Sequence, residues 1–352
     1  IGAPNLAPAE HVMRALADAA MDPKNYIYAI QDLNELHQAV AAWYQRRYGV
    51  TLDPAAQITS LLGSQEGLAH IALTLADEGD VVLVPDPCYP VFADGPKLAG
   101  AELHYMPMKP EKDFVIDLRD IPTEVAKRAK LMVVSYPNNP TTAMAPDAFY
   151  RDLIAFAREY GIGVLHDNAY SELVYDGAQW GSFLRFEGAA DVGVEFNSLS
   201  KTYALAGARV GFCVGNAEMV GQLAKLKSNM DYGMFLPVQR AAIAAITGDQ
   251  SCVETTRRAY EARRNYLCDG LTALGWNVPR CSSTMFVWAK IPEGFGDSQH
   301  FCEQLLQRTG LLVTPGSAFG PSGEGYVRLA LVRTEAEMKL ALDNIRESRL
   351  LG

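Results

Sequence analysis

The stretch "EFNSLSKTYALAGARVGF", residues 195–212, sets one lysine, Lys201, between two apolar runs that read as strands, with Arg209 shortly after it. A lysine in a short S-x-S-K match is ordinarily a solvated loop residue, because such patterns arise by chance. The surrounding chain changes that reading. From Ile58 to Cys213 short apolar runs, "ITSLLGS", "VVLVPDP", "AELHYMPM", "LMVVSYPN", "IGVLHDN", "VGVEFNS" and "ARVGFCV", alternate with amphipathic ones such as "SQEGLAHIALTLADEG" and "PDAFYRDLIAFAREYG". Pro146-Asp147 and Gly161 punctuate the last of these as a helix start and stop. Strands apolar on both faces, alternating with helices, predict a mostly parallel sheet covered on both sides.

After this region "SCVETTRRAYEARRNYLCDGLTALGW" predicts a long helix that carries the chain away from the first sheet. The remainder predicts a smaller α/β unit: strand "TMFVWAKI", helix "SQHFCEQLLQRTG", strands "LLVTPG" and "YVRLALV", and a last helix. Thr334 and Glu337 open that helix at capping-box spacing. The expected organisation is a large domain over 20–254 and a small one over 255–352, with 1–19 packed on the small one.

The chain has 352 residues, 49% hydrophobic and 20% charged, which suits an ordinary globular protein with a sizeable core. A formal net charge of −10 speaks against nucleic acid or an anionic membrane as the partner. No apolar run reaches the length of a membrane span. The opening Ile1-Gly2-Ala3-Pro4 lacks the pattern of a secretory signal, and because it does not begin with Met, residues upstream are expected. Six cysteines are scattered without a C-x-x-C pair and six histidines without ligand spacing. That predicts no disulfide framework and no metal site, and it suits a reducing cytoplasm.

In open parallel sheets, ligands sit at the carboxyl ends of the strands. Gly63-Ser64-Gln65 opens a helix after the first run, and free N–H groups at a helix start hold anions. Cys88-Tyr89-Pro90 places an aromatic after the second, and Asn138-Asn139-Pro140-Thr141 an amide after the fourth. Asp167 and Tyr170 follow "IGVL"; Ser198 and Lys201 follow "VGVEF"; Arg209 closes the set. Singly these are turn, cap and salt-bridge residues. Together they supply an amine, an acid, a phenol, an aromatic platform and an anion cradle, the set that pyridoxal 5′-phosphate requires. No G-x-G-x-x-G follows the first strand, which excludes a nucleotide-binding dehydrogenase.

The motifs "YPNNPT", "HDNAYSEL" and "SLSKTY…ARVGF" resemble those of the fold-type I, pyridoxal-phosphate-dependent aminotransferases of class I/II, over nearly the whole chain. Within that family "GSQEGLAHIALTLADEGDVVLVPDPCYPVF" and "LKSNMDYGMF" resemble the LL-diaminopimelate aminotransferase-like members. The resemblance implies a mostly parallel seven-stranded sheet with a smaller C-terminal domain, and transfer of an amino group from an amino acid to a 2-oxoacid such as 2-oxoglutarate. It implies that Lys201 carries the coenzyme, Asp167 pairs with its ring nitrogen, Tyr170 and Asn139 bond its phenolic oxygen, and Tyr89 stacks on the ring. Ser64, Gln65, Ser198 and Arg209 would bind the phosphate. Tyr28 would complete the site of the neighbouring subunit in a homodimer. Arg328 would grip the substrate carboxylate, with Gly2 and Asn139 beside it.

The chain departs from the family at Gln31-Asp32, where two glycines are usual near the expected substrate entrance, at Thr142 in place of a glycine, and at Ala208 before Arg209. A pyridoxal-phosphate lyase or cyclase would share every cofactor residue, since fold does not decide reaction. A coenzyme-sensing regulatory domain would need a DNA-binding module and a basic surface.

Overall fold

The computed structural model describes residues 2–351. All the apolar runs from Ile58 onward are strands: β1 Ile58–Leu61, β2 Val81–Asp86, β3 Glu102–Pro107, β4 Ala129–Ser135, β5 Gly163–Asp167, β6 Gly193–Ser198 and β7 Gly211–Gly215. They form one seven-stranded sheet in the order β1-β7-β6-β5-β4-β2-β3. From β2 to β6 the neighbours are parallel, while β7 runs antiparallel to both β6 and β1. The interior strands are buried on both faces, as β2 and β6 are at every residue. β3 differs because it is the edge: in "ELHYMP" only Met106 is buried, and the charged and polar residues blunt an open row of N–H and C=O groups.

The second amphipathic run forms the helix Asp147–Tyr160, stopped by Gly161 at φ 71°. The first is broken at Ile71 into Ser64–His70 and Ala72–Leu75. The long helix Ser251–Ala273 leads to a second, antiparallel sheet in the order β8-β10-β9, made of β8 Phe286–Lys290, β9 Thr314–Pro315 and β10 Tyr326–Ala330. Helices Ser298–Thr309 and Glu335–Ser348 cover it, the latter with the Thr334–Glu337 capping box formed in both directions.

Two apolar clusters lie on the two faces of the large sheet, one around Trp43, Phe149 and Phe212, the other around Leu68, Phe92 and Phe196. A third, around Leu267, Phe286 and Phe301, belongs to the small sheet. The N-terminal segment is divided between them, contrary to the expectation that 1–19 packs on the small domain. Val12 and Leu16, one helical turn apart on Glu10–Met21, join the large-sheet core against helix Leu236–Thr247, whereas Leu6 packs on the small-sheet core. Among the described residues no helix is long and apolar enough to cross a membrane.

Candidate active site

The carboxyl ends of β1, β2, β4, β5 and β6 open on one cleft of 290 Å³, closed on its far side by Phe286 of β8, Arg328 of β10 and Gly2 of the irregular N-terminal segment. Gly2, Ser64, Gln65, Tyr89, Asn139, Asp167, Tyr170, Ser198, Lys201, Arg209 and Arg328 all line it, so the structure gathers eleven of the twelve residues singled out above. The twelfth, Tyr28, does not line its own chain's cleft. It is 78% exposed and lies against Tyr232, ring centroids 5.3 Å apart.

Lys201 sits in a one-turn helix, Leu199–Thr202, that starts where β6 ends. Ser198 caps this turn by accepting a hydrogen bond from the Ser200 N–H at 3.2 Å, which leaves its own O–H free to donate. Lys201 Nζ donates to the Gly2 carbonyl at 3.2 Å. Burial brings the Lys201 ammonium down to about 8, with Arg209 and Arg328 adding repulsion and Asp167 opposing them.

Asp167 ends β5, facing the cleft while its strand neighbour His166 faces the other side. Its Oδ1 is buried without a hydrogen-bond partner. Burial pushes the Asp167 carboxyl up to about 6, against the pull of His166 and the Ala169 N–H. Burial also raises the Tyr170 phenol, and the nearby Asp167 charge adds to it, so this group stays a hydrogen-bond donor.

The anion cradle is built by a steric fit. Gly63, at φ +83°, turns the chain from β1 into helix Ser64–His70, and a Cβ there would lie 2.2 Å from Arg209 Nη2. Only glycine admits the guanidinium to this turn. Arg209 is itself held at φ 55° and donates to the Ala206 carbonyl at 3.0 Å. Ser64 and Gln65 supply first-turn N–H groups that no helix carbonyl reaches. Tyr89 is tied to the same corner, donating to Gln65 Oε1 at 3.0 Å.

Arg328 is a buried guanidinium on β10. Its Nη1 donates to Asn139 Oδ1 at 2.8 Å, its Nε has no partner, and its carbon lies over the rings of Phe286 and Phe319 at 4.2 and 4.6 Å. Burial lowers its pKa, since only the phenols Tyr170 and Tyr89 favour the charge. A buried cation facing neutral groups is costly unless an anion completes it. Taking the Asn139 oxygen also leaves that residue's amide N–H₂ as a donor.

One departure from the family pattern has a structural reason and a second runs against its backbone conformation. Asp32 does not face the cleft: it accepts from the Ser60 N–H at 2.9 Å and from Ser60 Oγ at 2.5 Å, and it pairs with His37 at 2.8 Å. It ties the loop that carries Gln31-Asp32, in place of the usual glycines, to β1. Thr142 stands at φ 61°, a conformation that suits glycine. Sequence reasoning missed Phe286 and Phe319. Phe286 was within reach, because β8 pairs Trp288 with Arg328 and alternation puts Phe286 on the same face; Phe319 lies in a loop with no period to read.

A larger cleft of 650 Å³ near Trp43, Trp180 and Tyr203 carries none of this chemistry. Its charges are spent on each other, as in the fork Arg47 makes on Glu172.

An amine, a buried acid with a free oxygen, a phenol and an anion cradle in one cleft can hold an aldehyde-bearing heterocycle phosphate, and the unpaired arginine an organic carboxylate. Comparison with known proteins agrees. The pattern describing aminotransferase class I and II matches residues 1–345. The chain is 45% identical over 353 aligned positions to an LL-diaminopimelate aminotransferase of Moorella thermoacetica, covering 100% of this chain and 90% of that protein. It is 42% identical over 349 positions to one from Halothermothrix orenii, covering 99% and 90%. Substrate-bound BacF from Bacillus subtilis superposes with a TM-score of 0.97 at 36% identity, over 100% of this chain and 90% of that one. A probable N-succinyldiaminopimelate aminotransferase from Thermus thermophilus gives 0.92 at 36%, over 99% and 93%.

Proposed function

The chain belongs to aminotransferase class I and II, and from that premise we propose an LL-diaminopimelate-like amino acid as its donor and 2-oxoglutarate as its acceptor. It is a pyridoxal 5′-phosphate-dependent enzyme that moves an amino group from an amino acid to a 2-oxoacid. The observation that carries the site assignment is Arg328, buried without an anion across the same cleft as Lys201 and Asp167. The orphaned Asp167 oxygen and the Gly63–Arg209 cradle fit the coenzyme. When bound, that coenzyme supplies an electron sink for the bond broken at the substrate's α-carbon.

In this reading Arg328 holds the α-carboxylate by a fork of parallel N–H donors, which fixes the α-carbon beside Lys201. Lys201 Nζ, with its pKa near 8, takes the α-proton as general base. Asp167 holds the proton on the coenzyme's ring nitrogen, and Tyr170 and Asn139 donate to its phenolic oxygen. Tyr89 covers the ring, while Ser64, Gln65, Ser198 and Arg209 hold the phosphate. Gly2 is the small-residue contact beside the substrate, where a Cβ would lie 2.3 Å from the Phe286 ring. A division at residues 254 and 255 suits this reading, because 20–254 carries the coenzyme residues and 255–352 carries Arg328. Six free cysteines suit a cytoplasmic setting.

A panel of amino donors, LL-diaminopimelate among them, offered with 2-oxoglutarate tests the reading. Glutamate should form without ammonia; ammonia release without glutamate would reassign the enzyme as a lyase. Arg328→Lys keeps the charge but loses the fork, and should lower kcat/KM for every α-amino acid by roughly ten- to a hundred-fold with coenzyme absorbance intact. Equal efficiency of variant and parent would remove Arg328 from the site.

A homodimer follows from the same reading. Tyr26, Ile27, Tyr28 and Ile30 are exposed beside Tyr232 and Phe235, an apolar patch that a second copy would cover. Tyr28 then reaches the partner's phosphate site. Mixing Tyr28→Phe with Lys201→Ala subunits should restore activity above the sum of the two variants, since one hybrid site carries neither change. Strictly additive activity after subunit exchange would show that the sites are not shared.

A further inference from the structure

Asp86 is a buried carboxylate that the reaction does not use. It is the last residue of β2, and its partner is Ser322, in the turn Pro321–Gly323 between β9 and β10 of the small sheet. Asp86 Oδ2 accepts from Ser322 Oγ at 2.6 Å and from the Ser322 N–H at 3.1 Å. Burying a carboxylate against neutral donors alone is unfavourable unless the contact fixes something else. The fit is close: Gly320 stands at φ +131°, and a Cβ there would lie 2.0 Å from Asp86 Oδ1. A second tie runs alongside, from the Cys88 N–H to the Phe319 carbonyl at 2.8 Å.

What this contact fixes is the aromatic cover of the substrate arginine. Phe319, one residue before Gly320, lays its ring 4.6 Å from the Arg328 guanidinium carbon. Tyr89, on the large-domain wall, is held separately by its hydrogen bond to Gln65 Oε1 at 3.0 Å, so the clasp bears on the small-domain aromatic alone.

We propose that Asp86, through Ser322, is a positioning residue that holds the small-domain loop against β2 so that Phe319 seals Arg328 from water. It acts on carboxylate grip, not on the coenzyme. This rests on the assignment of Arg328 above, and the test separates the two.

Holoenzymes of the parent, Asp86→Ala, Asp86→Asn, Ser322→Ala, the Asp86→Ala/Ser322→Ala double variant and Arg328→Lys would be titrated calorimetrically with succinate, a carboxylate that cannot turn over. Coenzyme affinity and absorbance would be read in parallel. Loss of a charged hydrogen bond should weaken succinate about ten-fold in Asp86→Ala and about three-fold in Ser322→Ala, with Asp86→Asn between parent and alanine. The double variant should be no weaker than Asp86→Ala, because both changes break one contact. Coenzyme affinity should stay at the parent value. Unchanged succinate affinity in Asp86→Ala, beside a loss in Arg328→Lys, would overturn the clasp alone. A flat Arg328→Lys would overturn the arginine assignment and the clasp with it. A parallel fall in coenzyme affinity would mark Asp86 as generally structural and overturn the proposal. Should Asp86→Ala not fold, Ser322→Ala and Asp86→Asn decide by the same readings.

Discussion

Lys201→Ala should lower transamination by roughly 10³-fold or more, because it removes both the amine that anchors the coenzyme and the base that takes the α-proton. Borohydride treatment of the parent should fix coenzyme covalently on Lys201, and the variant should take up none. The fold offers a second buried lysine as an internal control. Lys227 Nζ is tied by ion pairs to Glu66 at 2.8 Å and Asp231 at 3.0 Å and does not line the cleft. Lys201 instead faces Arg209 and Arg328, and burial brings its pKa to about 8. Bond formation with an aldehyde needs the neutral amine, so coenzyme uptake by the stripped protein should speed up as pH rises through about 8 and then level off. Stopped-flow absorbance at a series of pH values checks this. A midpoint near the ordinary lysine value, or label on Lys227, would show that the environment does not select Lys201.

Why the cleft was legible before the fold was seen follows from strand geometry. Val/Leu-rich runs buried on both faces announce β2, β4, β5 and β6 directly, and the residue after each must lie at the sheet's carboxyl edge. That rule brings Asp167, Lys201, Asn139 and Tyr89 to one edge, where they line one cleft, and the family resemblance adds the roles expected of them. The order of the strands was not legible, since nothing local in "ARVGFCV" tells that β7 inserts antiparallel between β1 and β6. Nor was the division of the N-terminal segment, because the apolar stripe of Glu10–Met21 fits either core and only tertiary packing chooses. Asp32 shows the opposite limit. The sequence marks Gln31-Asp32 only as a departure from two usual glycines, and it does not tell that the Asp32 carboxylate is consumed by Ser60 and His37. Hydrogen-bond partners far apart in sequence are invisible to spacing. The Asp86–Ser322 clasp, joining strand end to loop across 236 positions, is of the same kind.

Asp167→Asn should keep the fold and weaken the chemistry. Its carboxylate is the group that favours a proton on the coenzyme's ring nitrogen; an amide of the same shape turns an N–H toward that atom and favours the unprotonated form. Single-turnover conversion of an amino donor should slow by roughly 10²-fold or more, with coenzyme still bound but less tightly. Stability should move the other way. In the coenzyme-free protein Asp167 has its carboxyl raised to about 6 from the ordinary 3.8, so the folded state favours the protonated form. The stability tied to that proton is fully present below pH 3.8 and is lost as pH rises through about 6. At pH 8 the parent therefore carries a buried charge, with one oxygen lacking a hydrogen-bond partner, that the amide variant lacks, worth up to about 3 kcal/mol from the size of the shift. Denaturant unfolding of both coenzyme-free proteins should show a gap in favour of the variant at pH 8 that narrows towards pH 4. Bound coenzyme should close or reverse the gap, because its ring N–H supplies the partner that Asp167 Oδ1 lacks. An acid kept at a stability cost and repaid only by the ligand is what a functional site predicts. Turnover and pH-dependence both unchanged in the variant would make Asp167 an ordinary strand-end residue.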